Sequence, residues 1–239
     1  MSTLDAPHTP TFPPLMYGEA AAYPVTHAQM RAIQGCDAGL VAYDLGQSTL
    51  RAAIVFAPDV TLAEAAVMLP LCAVGFQNAL GALGPPETAV QLEWDGVIRL
   101  NAARCGRFGI HASTDNPAEV PDWMVIDLTL PLWPLSDAPG EHPEDTALYA
   151  EGCTEVQAPQ LLESWSRHTL TWVRSWEDDG IKPLHEAWRG LAWQIGEDVT
   201  VLGITGTFLG VDENFGLLLR DADGATQLIP LTRLLETTP

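Results

Sequence analysis

Lysine is almost absent from this chain: Lys182 stands alone among eleven basic side chains, set against thirty-one acidic ones, for a net charge of −20. Such an excess repels phosphate backbones and anionic membrane surfaces, so it excludes nucleic-acid and membrane partners and reads as a solubility device. Cations are also what phosphoryl and adenylyl chemistry sets against phosphate oxygens. Only Arg31, Arg51, Arg99, Arg104 and Arg107 precede residue 167, so a triphosphate site in the first two thirds would draw on those five. Cysteine is sparse too. Cys36, Cys72, Cys105 and Cys153 show no CxxC or other metal-ligand spacing, which gives no metal site. The polar, proline-rich start MSTLDAPHTPTFPP is unlike a signal peptide, so the expectation is a cytoplasmic protein with reduced, mostly buried thiols. Long apolar runs are missing as well: Glu64 and Pro70 interrupt LAEAAVMLPLCAVGF, which reads as a buried helix with a proline kink or break, not a membrane span.

What remains is an ordinary globular composition, 47% hydrophobic and 18% charged, in a chain of 239 residues that can form one large domain or two unequal ones. Two are favoured. Prolines at 7, 10, 13, 14 and 24 make residues 1–25 an extended arm. From Thr26 a helix runs to Gly35, followed by strands GLVAYDL and LRAAIVFAP around the short turn GQST. Thr61 with Glu64 three residues on is a capping-box signature opening a helix over 62–82. Strands TAVQLEW, GVIRLN, RFGIHAS and DWMVIDLTLPL come next, then a loop PLWPLSDAPGEHPED. Over 158–179, Leu161, Leu162, Trp165, Leu170, Trp172, Val173 and Trp176 form a broad apolar helix face, read as core. Short strands DVTVL, TGTFLGV, FGLLLRD and TQLIPL, punctuated by DENFG and DADG, then suggest a small β-barrel. The fold class is therefore α+β, with a mixed or antiparallel sheet over 26–192 and an all-β lobe over 193–239.

The segment with most chemistry is LEWDGVIRLNAARCGRFGI, Leu92 to Ile110, which has the pattern strand, tight turn, strand, with Asn101 and Arg104 at the bend. Arg104 can be an anion clamp or a strand-end surface arginine. Cys105 can be a nucleophile or a buried thiol, and alternation along the strand sends it to the face opposite Arg104. His111 can be a base or a satisfied strand histidine.

The order of pieces resembles the biotin/lipoate protein ligase superfamily, in particular bacterial biotin protein ligases without an N-terminal DNA-binding domain. DTALYAEG is similar to that family's Thr-Ser-Leu segment, WEDDGIKPLHEAWRG to the helix end before its small domain, and GEDVTV, GTFLGVDENFGLLLRD and TQLIPLTRLLE to its SH3-like barrel. More narrowly, the chain resembles a divergent branch of ligase-like proteins with no assigned activity. The resemblance implies a ligase-like mixed sheet with an SH3-like lobe, a biotin-like or acyl carboxylate as ligand, and a carrier domain as partner. If the protein is active, it implies ATP, magnesium and biotin or lipoate.

The family's signature here is Trp-Pro-Asn-Asp, a turn with Asn-Gly, then a catalytic lysine. Without a gap, Trp94 takes the tryptophan position, Asp95 the proline, Gly96 the asparagine, Val97 the aspartate, Asn101 the turn asparagine and Arg104 the lysine. Trp94, Asp95, Asn101 and Arg107 are thus ligand-binding candidates, and Arg104 and Cys105 catalytic ones. Yet Val97 binds no metal, and arginine's planar fork does not reproduce a compact ammonium. The family's arginine- and glycine-rich loop should follow GLVAYDL, where only GQST stands; its Gly-x-Gly-x-Asn segment reads Asp127-Leu128-Thr129-Leu130-Pro131. The expectation is a carboxylate or acyl pocket without ordinary ATP-driven ligation. The alternatives are an active biotin or lipoate ligase, an ATP-independent acyltransferase, or a non-enzymatic module dimerising through a sheet edge.

Overall fold

Strand β3 (Thr49–Phe56) shows how the main sheet acquires two apolar faces: Leu50, Ala52 and Ile54 pack on one side, Ala53 and Val55 on the other. Residues i and i+2 of a strand share a face, so one strand feeds two cores. The computed structural model describes residues 9–134 and 144–236. Its main sheet also contains β1 (Tyr17–Ala20), β2 (Leu40–Leu45), β4 (Val90–Leu92), β5 (Val97–Leu100), β6 (Ala103–Ala112) and β7 (Met124–Pro131). The order is β1-β2-β3-β7-β6-β5-β4, antiparallel except for the β1–β2 pair, so the sheet is mixed. The stretch read as an arm therefore contributes the edge strand β1.

One face of the sheet is covered by α3 (Met68–Leu83) and α4 (Ala158–Asp179), the other, only in part, by α1 (Pro24–Ile33). The helix expected over 62–82 is interrupted: α2 (Leu62–Ala65) ends before α3 begins. Pro70 lacks an N–H and its ring would press on the carbonyl of residue 66, so it is accommodated in the first turn of a new helix. Thr61 and Glu64 form the expected capping box at the start of α2. The span Leu62–Leu83 is long and apolar enough to cross a membrane by composition, but 72% of its most apolar window is buried inside the protein.

α4 crosses α3 closely because Gly75 has no side chain: a Cβ there would lie 3.0 Å from Thr169 Oγ1. Trp165, fully buried, donates its indole N–H to Cys72 O at 3.0 Å. Leu161 and Leu162 are buried beside it, and Trp172, Val173 and Trp176 pack at the margin of the same core. After α5 (Lys182–Arg189) the chain forms the SH3-like lobe, a second sheet of order β11-β10-β9-β8, antiparallel throughout. Its strands are β8 (Asp198–Val201), β9 (Ile204–Val211), β10 (Leu217–Arg220) and β11 (Thr226–Ile229), and a 3-10 helix, Leu231–Leu234, follows.

Candidate functional site

The segment Leu92–Ile110 folds as a pair of hairpins. The first turn, Glu93–Gly96, is tight because Gly96 sits at φ +91°, where a Cβ would come within 2.6 Å of Phe108 O. The backbone at the position of the signature's asparagine is thus shaped for glycine. The second turn places Asn101 and Ala102 at φ +48° and +74°, a left-handed pair that suits a two-residue hairpin. Asn101 accepts from Ala89 N at 3.0 Å and donates to Glu151 Oε2 at 2.8 Å, so its side chain is spent on locking the bend.

Arg104, on β6 just past this bend, projects to the surface with 48% of its side chain exposed. It lies 3.5 Å from Glu93 and 3.8 Å from Glu144. Glu93 is also held by Arg99 Nε at 2.6 Å, and the buried Arg99 lies over the Trp193 ring at 4.9 Å. Cys105 points the other way, into the core, as strand alternation requires. Burial pushes its thiol up to about 12, so it is not a thiolate at neutral pH, and its surroundings are those of an inert packing residue. Trp94 is buried too, and its indole donates to Phe215 O at 2.7 Å. Its place is the seam between the hairpin and the SH3-like lobe.

A bulge separates Arg104 from the next arginine. Arg99 pairs with Arg104, but Ile98 pairs with Gly106, so Cys105 is extra and the alternation slips by one. Arg104 and Arg107 therefore share the outer face, three residues apart. Opposite Arg107 stands Thr129, which also faces Arg51 across β7 and β3, and Arg51 in turn faces Asp44. Each arginine in this neighbourhood carries a carboxylate of the chain itself: Arg51 Asp44 at 3.5 Å, Arg99 and Arg104 Glu93, and Arg107 Glu236 at 3.0 Å.

Beyond Arg107 the edge of β6 is no longer covered by β5, and a cavity of about 260 Å³ opens there. Asp95, Arg107, Arg233 and Glu236 supply its charged groups, and Leu69, Ile110 and Leu235 are among its apolar walls. Asp95 Oδ1 is buried with no hydrogen-bond partner among the described residues, and desolvation, then Glu93, raises the carboxyl's pKa against the opposing pull of the Val97 amide and Arg107. Nearby, His111 Nε2 meets Asp127 Oδ1 at 2.9 Å, while its buried Nδ1 has no partner among the described residues. Gly109 makes this approach possible, since a Cβ there would stand 2.4 Å from that oxygen.

Of the candidates read from sequence, then, Asp95 and Arg107 meet at one cavity, whereas Trp94, Asn101, Arg104 and Cys105 are engaged elsewhere. Sequence reading missed Glu93, Arg99, Arg233 and Glu236. Register could have suggested Arg99, which faces Gln91 beside Glu93 across the first hairpin, but nothing local links Arg107 to a residue 129 positions on. No three or more His, Cys, Asp or Glu side chains come together as a metal cluster among the described residues.

Residues 12–190 match the model of the biotin/lipoate A/B protein ligase family. The chain belongs to that family. Residues 195–237 match a second model, a domain of unknown function. A solved biotin protein ligase-like protein of unknown function from Silicibacter sp. TM1040 is 58% identical, covering 96% of this chain and 100% of its own, with a TM-score of 0.91. The fold is shared with the biotin protein ligase of Aquifex aeolicus, at 16% identity, 85% and 90% coverage and a TM-score of 0.68. It is also shared with the ligase of Leishmania major in complex with biotinyl-5-AMP, at 16% identity, 91% and 99% coverage and a TM-score of 0.55. No curated protein matches the chain. Against the ligase signature, the turn between β2 and β3 spans only residues 46–48, and Ser48 O caps it by accepting from Leu132 N at 2.8 Å. There is no arginine- and glycine-rich loop at this point.

Proposed function

We propose that this member of the ligase family binds a small carboxylic acid with an apolar body in the cavity beside Asp95 and Arg107, and does not activate that acid with ATP. The observation that carries the reading is the cavity itself, where cationic Arg107 and Arg233 meet apolar walls from four parts of the chain. A guanidinium grips a carboxylate through two parallel N–H groups, and the leucine walls suit an alkyl or ring body. Arg233, which makes no ion pair among the described residues, adds a second guanidinium to the same cavity.

Activation is a different demand. A triphosphate needs several uncommitted cations or a cradle of backbone amides, and its metal needs a carboxylate. Arg51, Arg99 and Arg104 are each paired with a carboxylate of the chain itself, and Val97 stands in the signature's aspartate position. The biotin and ATP held by the Aquifex aeolicus enzyme thus separate here into an acid that is retained and a nucleotide that is not.

Calorimetric titration with octanoate, lipoate and biotin tests the first half. Binding by the wild type, lost by at least about ten-fold in Arg107→Gln and unchanged within about two-fold in Arg104→Gln, is the expected pattern. A site that depends on Arg104 and ignores Arg107 contradicts the assignment.

A further inference from the structure

Past the 3-10 helix, Leu235 forms a parallel bridge with Ile110, and Glu236 N donates to Ile110 O at 2.9 Å. The chain thus lays its own C-terminal segment along the part of β6 that β5 leaves uncovered. The side chain at the end of this strap is a carboxylate. Glu236 Oε1 accepts from Arg107 Nη2 at 3.0 Å and would be only 3.2 Å from a Cβ at position 109, while Oε2 lies 4.0 Å from His111 Nε2. Glu236 also lines the cavity, so it meets Arg107 where an entering acid would meet it.

We infer that Glu236 is an intramolecular occupant of the carboxylate site, a strap that an external acid must displace from Arg107. The inference rests on the carboxylate reading of the cavity given above and adds its regulation. Two features make the strap displaceable. Among the described residues its backbone hold on β6 is the single Ile110–Leu235 bridge, of which the Glu236 N to Ile110 O hydrogen bond is part, and the ion pair to Arg107 is exposed on both sides, at 58% and 44% of the side chains. Such a pair contributes little to stability but competes directly with any other carboxylate for the same guanidinium. When only a fraction of molecules has the strap lifted, the apparent dissociation constant rises by the inverse of that fraction.

Glu236→Gln keeps the backbone hydrogen bond and removes the competing charge. Octanoate is the probe, titrated into wild type, Glu236→Gln, Arg107→Gln and the double variant, with amide hydrogen exchange at residue 236 followed in parallel. The expected result is octanoate binding about ten-fold tighter in Glu236→Gln than in wild type, abolished whenever Arg107 is replaced. Exchange at the Glu236 amide should also accelerate as octanoate saturates the wild type. Equal affinity in wild type and Glu236→Gln, with binding still dependent on Arg107, overturns the strap and leaves the carboxylate site standing. Absence of binding in all four proteins overturns the site and the strap together.

Discussion

The tip and the base of the β5–β6 hairpin are a few residues apart and differ in how their polar groups are used. At the tip, Asn101 is consumed by Ala89 and Glu151, Arg99 and Arg104 converge on Glu93, and Cys105 is sealed in the core. At the base, among the described residues, Asp95 Oδ1 lacks a hydrogen-bond partner, Arg233 makes no ion pair, and Arg107 is held by a carboxylate more than a hundred residues on. The tip carries the signature's turn asparagine and the position of its catalytic lysine, yet it is closed upon itself. On the proposed reading, the unsatisfied or exchangeable polar groups at the cavity mark the ligand site better than the tip does, because a saturated hydrogen-bond network has nothing left to offer a ligand.

If the tip is structural, breaking it should cost stability and spare binding. Glu93→Ala leaves the guanidinium of Arg99 buried without its carboxylate, and a loss of about 3 kcal/mol in denaturant unfolding is expected, with octanoate affinity little changed. If the base is a site, the opposite holds for Asp95. Its pKa is raised in the fold, so ionised Asp95 costs stability at neutral pH. The stabilising protonated form is complete below the unfolded-state value and is lost as pH rises through the folded one. Asp95→Asn should raise the melting temperature at pH 7 by about 2–4 °C, with the gain vanishing in acid, and should tighten octanoate binding by removing a like charge.

The hairpin and its bend at Asn101 were legible in sequence, as were the capping box at Thr61 and the apolar face around Trp165, because each depends on residues within a turn or two. The break before Pro70 was anticipated in kind, although its position follows from where the ring can be tolerated. The bulge at Cys105 was not legible. It leaves no local sequence mark, and it brings Arg107 to the face of Arg104. Long-range pairs were out of reach for the same reason: Trp94 with Phe215 and Arg107 with Glu236 join the hairpin to a lobe more than a hundred residues on. In consequence the family positions of Trp94 and Asn101 marked the frame of the hairpins, while the cavity needed the fold.

A smaller effect sharpens the same contrast at the tip. Ala102 occupies φ +74°, where an L side chain is strained, in the turn that carries Asn-Gly in the ligase signature. Ala102→Gly should stabilise the protein by up to about 1 kcal/mol in the same unfolding measurement and leave ligand binding untouched. A change in octanoate affinity there would reopen the tip as part of the site.

The central claim, that this ligase fold retains an acid site without ATP-driven activation, is tested most directly by pyrophosphate release in ATP and magnesium with biotin, lipoate or octanoate at saturation. Release at the level of a no-acid control for all three acids is the predicted result. Robust, acid-dependent release with any one of them would contradict it.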